Sequence, residues 1–188
     1  SFPTRRSSDL YLMAQPYDAQ GELIVYPGNN NAAPVWNPFI NLEHTSDLTR
    51  VLNVQANMFA NIQFTPWLSY RMNLGTGYRT SRSGSWSGSE STSNRMVAKT
   101  ASASYSNSEN MQYLIENILN FNQSFDVHSI SATLMQAAQH YQSESLNISA
   151  SKILYDTSKW FNLAANLNGK PDSYGSGFTE NNLTSYMG

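Results

Sequence analysis

Between Leu52 and Tyr78 the chain alternates apolar and polar residues through two long segments joined by a tight turn. In the first, Leu52, Val54, Ala56, Met58, Ala60 and Ile62 share one face, while Asn53, Gln55, Asn57, Asn61 and Gln63 share the other. Phe59 is the single exception on the polar side. After Thr65-Pro66, Leu68, Tyr70, Met72, Leu74 and Tyr78 fall on one face, with Ser69, Arg71, Asn73, Gly75 and Gly77 opposite. A period of two means that each face meets its own solvent. A soluble strand needs about 5–6 residues, whereas a tilted strand crossing a bilayer needs roughly 9–11. The segments are of the longer kind, and they predict a hairpin of a transmembrane β-barrel.

Composition narrows the choice further. The 188 residues carry a net charge of -2 with no Lys/Arg cluster, which argues against a nucleic-acid partner. Cysteine is absent, so neither a disulfide framework nor a thiolate metal site is available. No run of about 18 apolar residues occurs, which excludes a transmembrane helix. A barrel is compatible with so polar a composition, because half of each strand faces inward. Residues 1–10, Ser1-Phe-Pro-Thr-Arg-Arg-Ser-Ser-Asp-Leu10, read as translated sequencing adapter, and residues 11–188 read as an internal barrel segment truncated at both ends.

Four full strands and the start of a fifth are expected, in antiparallel up-and-down order. Residues 11–48 are rich in Pro, Asn and Gly, including Pro27-Gly-Asn-Asn-Asn31 and Asn37-Pro38, and predict loop with a short strand at 22–26. Strands follow at about 50–64, 67–79, 111–125 and 129–142, with a fifth starting at 183. The Ser-rich Thr80–Asn110 reads as a long loop with a mobile tip, although Met96–Tyr105 alternates weakly. Glu144–Asn182 reads as another, with a rough helical spacing over 148–166 stopped at Gly169-Lys-Pro171. Connections therefore alternate between short and long, as in outer-membrane barrels with short periplasmic turns and long extracellular loops.

Charge placement fits a wall between lipid and lumen. Arg71 shares its parity with Ser69 and Asn73, and Glu116 shares its own with Gln112, Asn120 and Asn122, so both point inward. Asn117 falls on the otherwise lipid-facing parity. In the strand at 129–142 both faces are nearly equal in polarity, and the sequence does not assign the lipid-facing one. Aromatics gather at strand ends, with Phe64, Trp67 and Phe125 near the turns and Tyr78, Tyr113 and Tyr141 near the loops, as in two interfacial girdles. The competing reading of the pattern is a soluble all-β domain with one wet and one dry face.

No catalytic, cofactor or metal constellation emerges, and an enzyme is not expected. His44, His128 and His140 lack partners at ligand spacing. Gly75-Thr-Gly77-Tyr-Arg-Thr80 lacks the third glycine and the helix of a dinucleotide loop, and Gly84-Ser-Trp-Ser-Gly88 has Trp86 where a nucleophilic serine would stand. Glu43, Asp47 and Glu180 read as loop carboxylates without a partner. Trp36, Trp86, Tyr155, Trp160 and Phe161 could stack on sugars or grip a peptide, but large apolar side chains more often serve as packing anchors.

The segment NPFINLEHTSDLTRVLNVQANMFANIQFTPWLSYRMNLGTGYR, residues 37–79, resembles SusC/RagA-type TonB-linked outer-membrane transporters. Glu116-Asn-Ile-Leu-Asn-Phe-Asn122, His128-Ser-Ile-Ser-Ala132 and Ser185-Tyr-Met-Gly188 extend the resemblance over nearly everything after the adapter-like prefix. It implies a barrel of about 22 strands closed around a plug. It further implies import of glycan oligomers or peptides with TonB-coupled energy, a SusD-like surface lipoprotein partner, and the outer membrane of a Gram-negative, Bacteroidetes-type cell. The plug and the TonB-binding segment would lie outside this stretch, and the family's substrate-binding residues map onto no position in it. A structural or adhesive barrel, a passive porin and a soluble carbohydrate-binding β-domain are the alternatives.

Overall fold

A computed structural model describes residues 16–27, 36–96 and 99–188. The adapter-like prefix and Gly28–Asn31 of the first turn cluster lie outside the described residues. The described chain is all-β: a helix α1 (Pro38–His44) leads into β1 (Thr45–Thr65), β2 (Leu68–Ser87), β3 (Ala101–Phe125) and β4 (His128–Ile153), and after a 3-10 turn at Asp156–Phe161 comes β5 (Ser173–Met187). The strands form one sheet in the order β1-β2-β3-β4-β5, antiparallel and up-and-down, with no closed barrel among the described residues.

The two tight turns fall where the alternation breaks, at Pro66-Trp67 and at Asp126-Val127. The fixed φ of proline suits the first. The second depends on Asp126, whose φ of 49° lies in the left-handed region that Asp tolerates better than most residues. Asp126→Ala is therefore expected to cost about 1 kcal/mol and Asp126→Gly next to nothing, read from the denaturant midpoint of the folded full-length protein.

The strands are 21, 20, 25, 26 and 15 residues long, well beyond the expected limits. The Ser-rich loop shrinks to 88–100, and the long loop before β5 to 154–172. Ser and Gly have low strand propensity, but pairing with neighbours on both sides overrides it in β2 and β3. Only Asp156–Phe161 of the expected helical region is helical, as a 3-10 piece with Lys159 at a φ of 44°, and 148–153 belongs to β4. In the opposite direction, α1 replaces predicted loop. Asn37 caps it by accepting from Phe39 N–H, and Pro38 opens its first turn. At 22–26 there is a single bridge, Tyr17 to Leu23, rather than a strand.

The chain divides into two compact units, and the strands pass from one into the other. One unit comprises the described residues up to Leu48 with Gly84–Tyr105 and Ile148–Ser173. Its core is Trp86, Ala101, Ala103, Ala150, Ile153 and Trp160, with Tyr105 and Leu163 packed against it. Small residues make the room: Trp160 lies flat on Gly84, where a Cβ would come within 2.4 Å of ring carbons. Serines tie the 88–100 loop together, with Ser89 N–H and hydroxyl donating to the Asp156 carboxylate and Asn94 donating to the Ser87 carbonyl. The buried Asn37 donates to the carbonyls of Pro16 and Ile24, which fastens the N-terminal segment.

The other unit comprises Thr49–Ser83, Ser106–Asn147 and Tyr174–Gly188. Its register is continuous. Thr49 faces Ser83 and Asn57 faces Gly75 at equal intervals on β1 and β2, and Asn117–Gln136 and Asn120–Thr133 do the same on β3 and β4. The unit has one face of oil and one of amide.

Candidate functional site

The polar face of the second unit gathers the chemistry. Gly75 and Gly77 leave β2 without side chains, and amides from both neighbours lie over the bare backbone. A Cβ on Gly75 would stand 3.1 Å from Asn57 Oδ1, and one on Gly77 would stand 3.1 Å from Gln112 Nε2. Around this floor Gln55, Asn57, Gln112 and Gln139 line a shallow recess of about 300 Å³. Asn53, Arg79, Asn110 and Tyr141 line the adjoining one, with the Tyr141 hydroxyl donating to Asn110 Oδ1 at 3.1 Å. Neutral amides dominate, and they offer donors and acceptors together without selecting a sign of charge.

Besides Arg79, charged groups meet through one amide. Arg71 Nε donates to Asn73 Oδ1 at 2.9 Å, and Asn73 Nδ2 donates to Glu116 Oε2 at 3.0 Å. The Arg71 guanidinium lies over the Phe59 ring, 5.3 Å from its centroid. Arg71 and Glu116 thus share the polar face, as their parity predicts, and Phe59, the exception in the alternation, has a cation to cover it.

The opposite face carries Tyr70, Leu119, Leu134 and Tyr186 around an open apolar hollow. Asn117, the misfit of the sequence pattern, accepts from the Tyr70 hydroxyl at 2.6 Å and donates to Gln136 Oε1 at 2.7 Å. These contacts also assign the faces of β4. Leu134, Gln136 and His140 lie on the apolar side with Tyr113 and Asn117, whereas Thr133 bonds Asn120 on the polar side. The sequence concealed this because Gln136 and His140 are polar members of the apolar face, while Met135 and Ala137 fall on the other. Met58 and Met72 are both exposed, not sealed in a protein interior.

The histidines and carboxylates noted in the sequence do not converge on a catalytic centre. His44 ends α1 and His128 opens β4. His140 does acquire a partner: it stacks on Tyr113 at 4.9 Å, bonds Asn182 Oδ1 at 2.6 Å and lies 3.8 Å from Glu180. Glu43, Asp47 and Glu180 sit on α1, β1 and β5, not in loops as expected. Glu43 accepts from the Tyr17 hydroxyl. No group of three or more His, Asp and Glu suited to a metal occurs among the described residues. Of the aromatics noted in the sequence, Trp86 on β2 and Trp160 are buried anchors and Trp36 meets Tyr26 at a tilt, 5.0 Å between centroids, whereas Tyr155 and Phe161 are exposed.

The connection before β5 has its own fastening. Asp172 accepts from the Ser151 N–H and from Asn168, and its own N–H donates to the Ser149 carbonyl. The hydrogen bonds from Ser151, aided by Asn168 and the nearby Lys152 charge, hold the Asp172 carboxyl below the usual carboxylate range. A carboxyl depressed in the folded state stabilises above its unfolded pKa and loses that contribution as pH falls through the folded one. Proteolytic cutting within 154–172 is therefore expected to change little from pH 7 to 5 and to rise below about pH 4. Asp172→Asn is expected to remove most of that pH dependence.

A sheet of long up-and-down strands with one oily and one amide-lined face defines a barrel-wall architecture. Solved structures share it. The chain superposes on the RagAB peptide importer in its open-open state with a TM-score of 0.72 and in its closed-closed state with 0.73, in each case at 15% sequence identity, over 91% of this chain and 19% of that one. A further structure of the RagAB peptide transporter gives 0.73 at the same identity and coverage. The chain spans about a fifth of the length of these neighbours, and at this identity the likeness is one of fold. No protein-family model and no curated protein matches the sequence.

Proposed function

We propose that this chain is a stretch of the wall of a SusC/RagA-type, TonB-coupled outer-membrane transporter that imports nutrient oligomers, peptides or glycans. The observation that carries the reading is the two-faced sheet. Its apolar side suits hydrocarbon, its polar side suits a wet lumen, and its fold is shared with the RagAB importer. Strands of 20–26 residues exceed the 9–11 that a bilayer requires, so β1–β4 would continue past the membrane on the loop side. A peptide substrate belongs to the same proposal, because the neighbours are peptide importers, and a lipoprotein partner of the SusD kind belongs to it through the family resemblance. The role is passage rather than catalysis.

The proposed transporter is the longer protein to which this sheet would belong, and the test uses it. Deleting its gene should abolish uptake of a labelled peptide or glycan pool, and disabling TonB should do the same while the protein stays in the outer-membrane fraction. Recovery of the intact protein in a soluble fraction without detergent, or uptake indifferent to TonB, would refute the reading.

A further inference from the structure

We propose that Arg71 is a carboxylate-binding point on the polar wall. The inference rests on the polar face being a lumen. A guanidinium has five N–H donors arranged in a fork that matches a carboxylate. Here Nε is committed to Asn73, and the planar group is held over Phe59. Among the described residues no acceptor meets the terminal nitrogens. The nearby Glu116 is kept from a direct ion pair because Asn73 stands between them, giving its Oδ1 to the cation and its Nδ2 to the anion.

The stem of Arg71 is thus fixed while its bidentate end stays free and exposed. Four residues further along the same face, beyond Asn73, stands Gly75, which adds no β2 side chain there. A cation anchored in this way loses little side-chain freedom on binding, which favours a planar anion over a neutral amide. The carboxylate has two possible sources: a solute in transit, or an acidic residue of polypeptide filling the lumen.

The experiment uses the full-length protein in detergent and in planar bilayers. Equilibrium dialysis compares N-acetyl-trialanine bearing a free carboxylate with its C-terminal amide. Tighter retention of the acid by about tenfold or more, lost in Arg71→Gln and weakened in Arg71→Lys and Phe59→Ala, supports a solute site. Equal, weak retention of both peptides, with Arg71→Gln raising ion leak across the bilayer severalfold, supports a carboxylate from the lumen filling. No preference for the acid and no change in leak overturns the proposal. Membrane partition and heat-modifiable gel mobility are read on the same samples. If these fail the barrel reading falls, and if they hold only Arg71 is at issue.

Discussion

On the proposed membrane reading, Met58→Arg in the full-length protein is expected to lose about 2–4 kcal/mol of folding free energy in lipid, while Asn57→Arg changes it by no more than about 0.5 kcal/mol. The two positions are adjacent, so local propensity and chain length are matched and only the face differs. Met58 lies in mid-strand on the apolar side, where a guanidinium must give up its water in hydrocarbon. Asn57 reaches across Gly75 on the amide side, where a longer polar group stays hydrated. Urea titration of protein folded into lipid vesicles measures both. Equal losses would remove the distinction between the faces. A protein that tolerates Met58→Arg but not Asn57→Arg would require the faces to be exchanged.

Trp160→Ala is the second change with a large expected effect, about 3–5 kcal/mol on the unit that holds it. Trp160 fills the space above Gly84 and belongs to the cluster with Trp86, Ala101, Ala103, Ala150 and Ile153. Lys159 extends its ammonium over both indoles, 5.5 and 6.0 Å from their centroids. Without the indole, the 154–172 connection loses its main attachment, and limited proteolysis should cut there at least tenfold faster while the paired strands remain protected. Gly84→Val should reproduce this from the opposite side, since its side chain would occupy the Trp160 site. An unchanged cutting rate in both variants would mean that the cluster does not hold the connection.

Where oil and amide alternate cleanly, sequence was sufficient. The strands through 52–62 and 68–78, both tight turns, the five-strand order and the shared polar face of Arg71 and Glu116 all follow from period two. Legibility failed where small residues carry the strand. Gly84, Ala101 and Ala103 read as loop because each buries little on its own, yet they are small so that Trp86 and Trp160 can pack on them. The helix α1 was announced by Asn37-Pro38, a cap followed by a first-turn proline, but that dipeptide also marks turns. Phe59 could have been paired with Arg71 from parity alone. The approach of His140 to Glu180 could not, because it depends on the register of β4 against β5, which no tight turn fixes.

The hydrogen-bonded trio of Tyr70, Asn117 and Gln136 draws one member from each of three neighbouring strands. Should any of them zip up one residue out of step, the trio would come apart and leave bare polar atoms on the oily face, a penalty that no sliding of oily side chains could hide. The sheet thereby carries its own proofreading: the correctly aligned wall is the one in which these three groups satisfy one another.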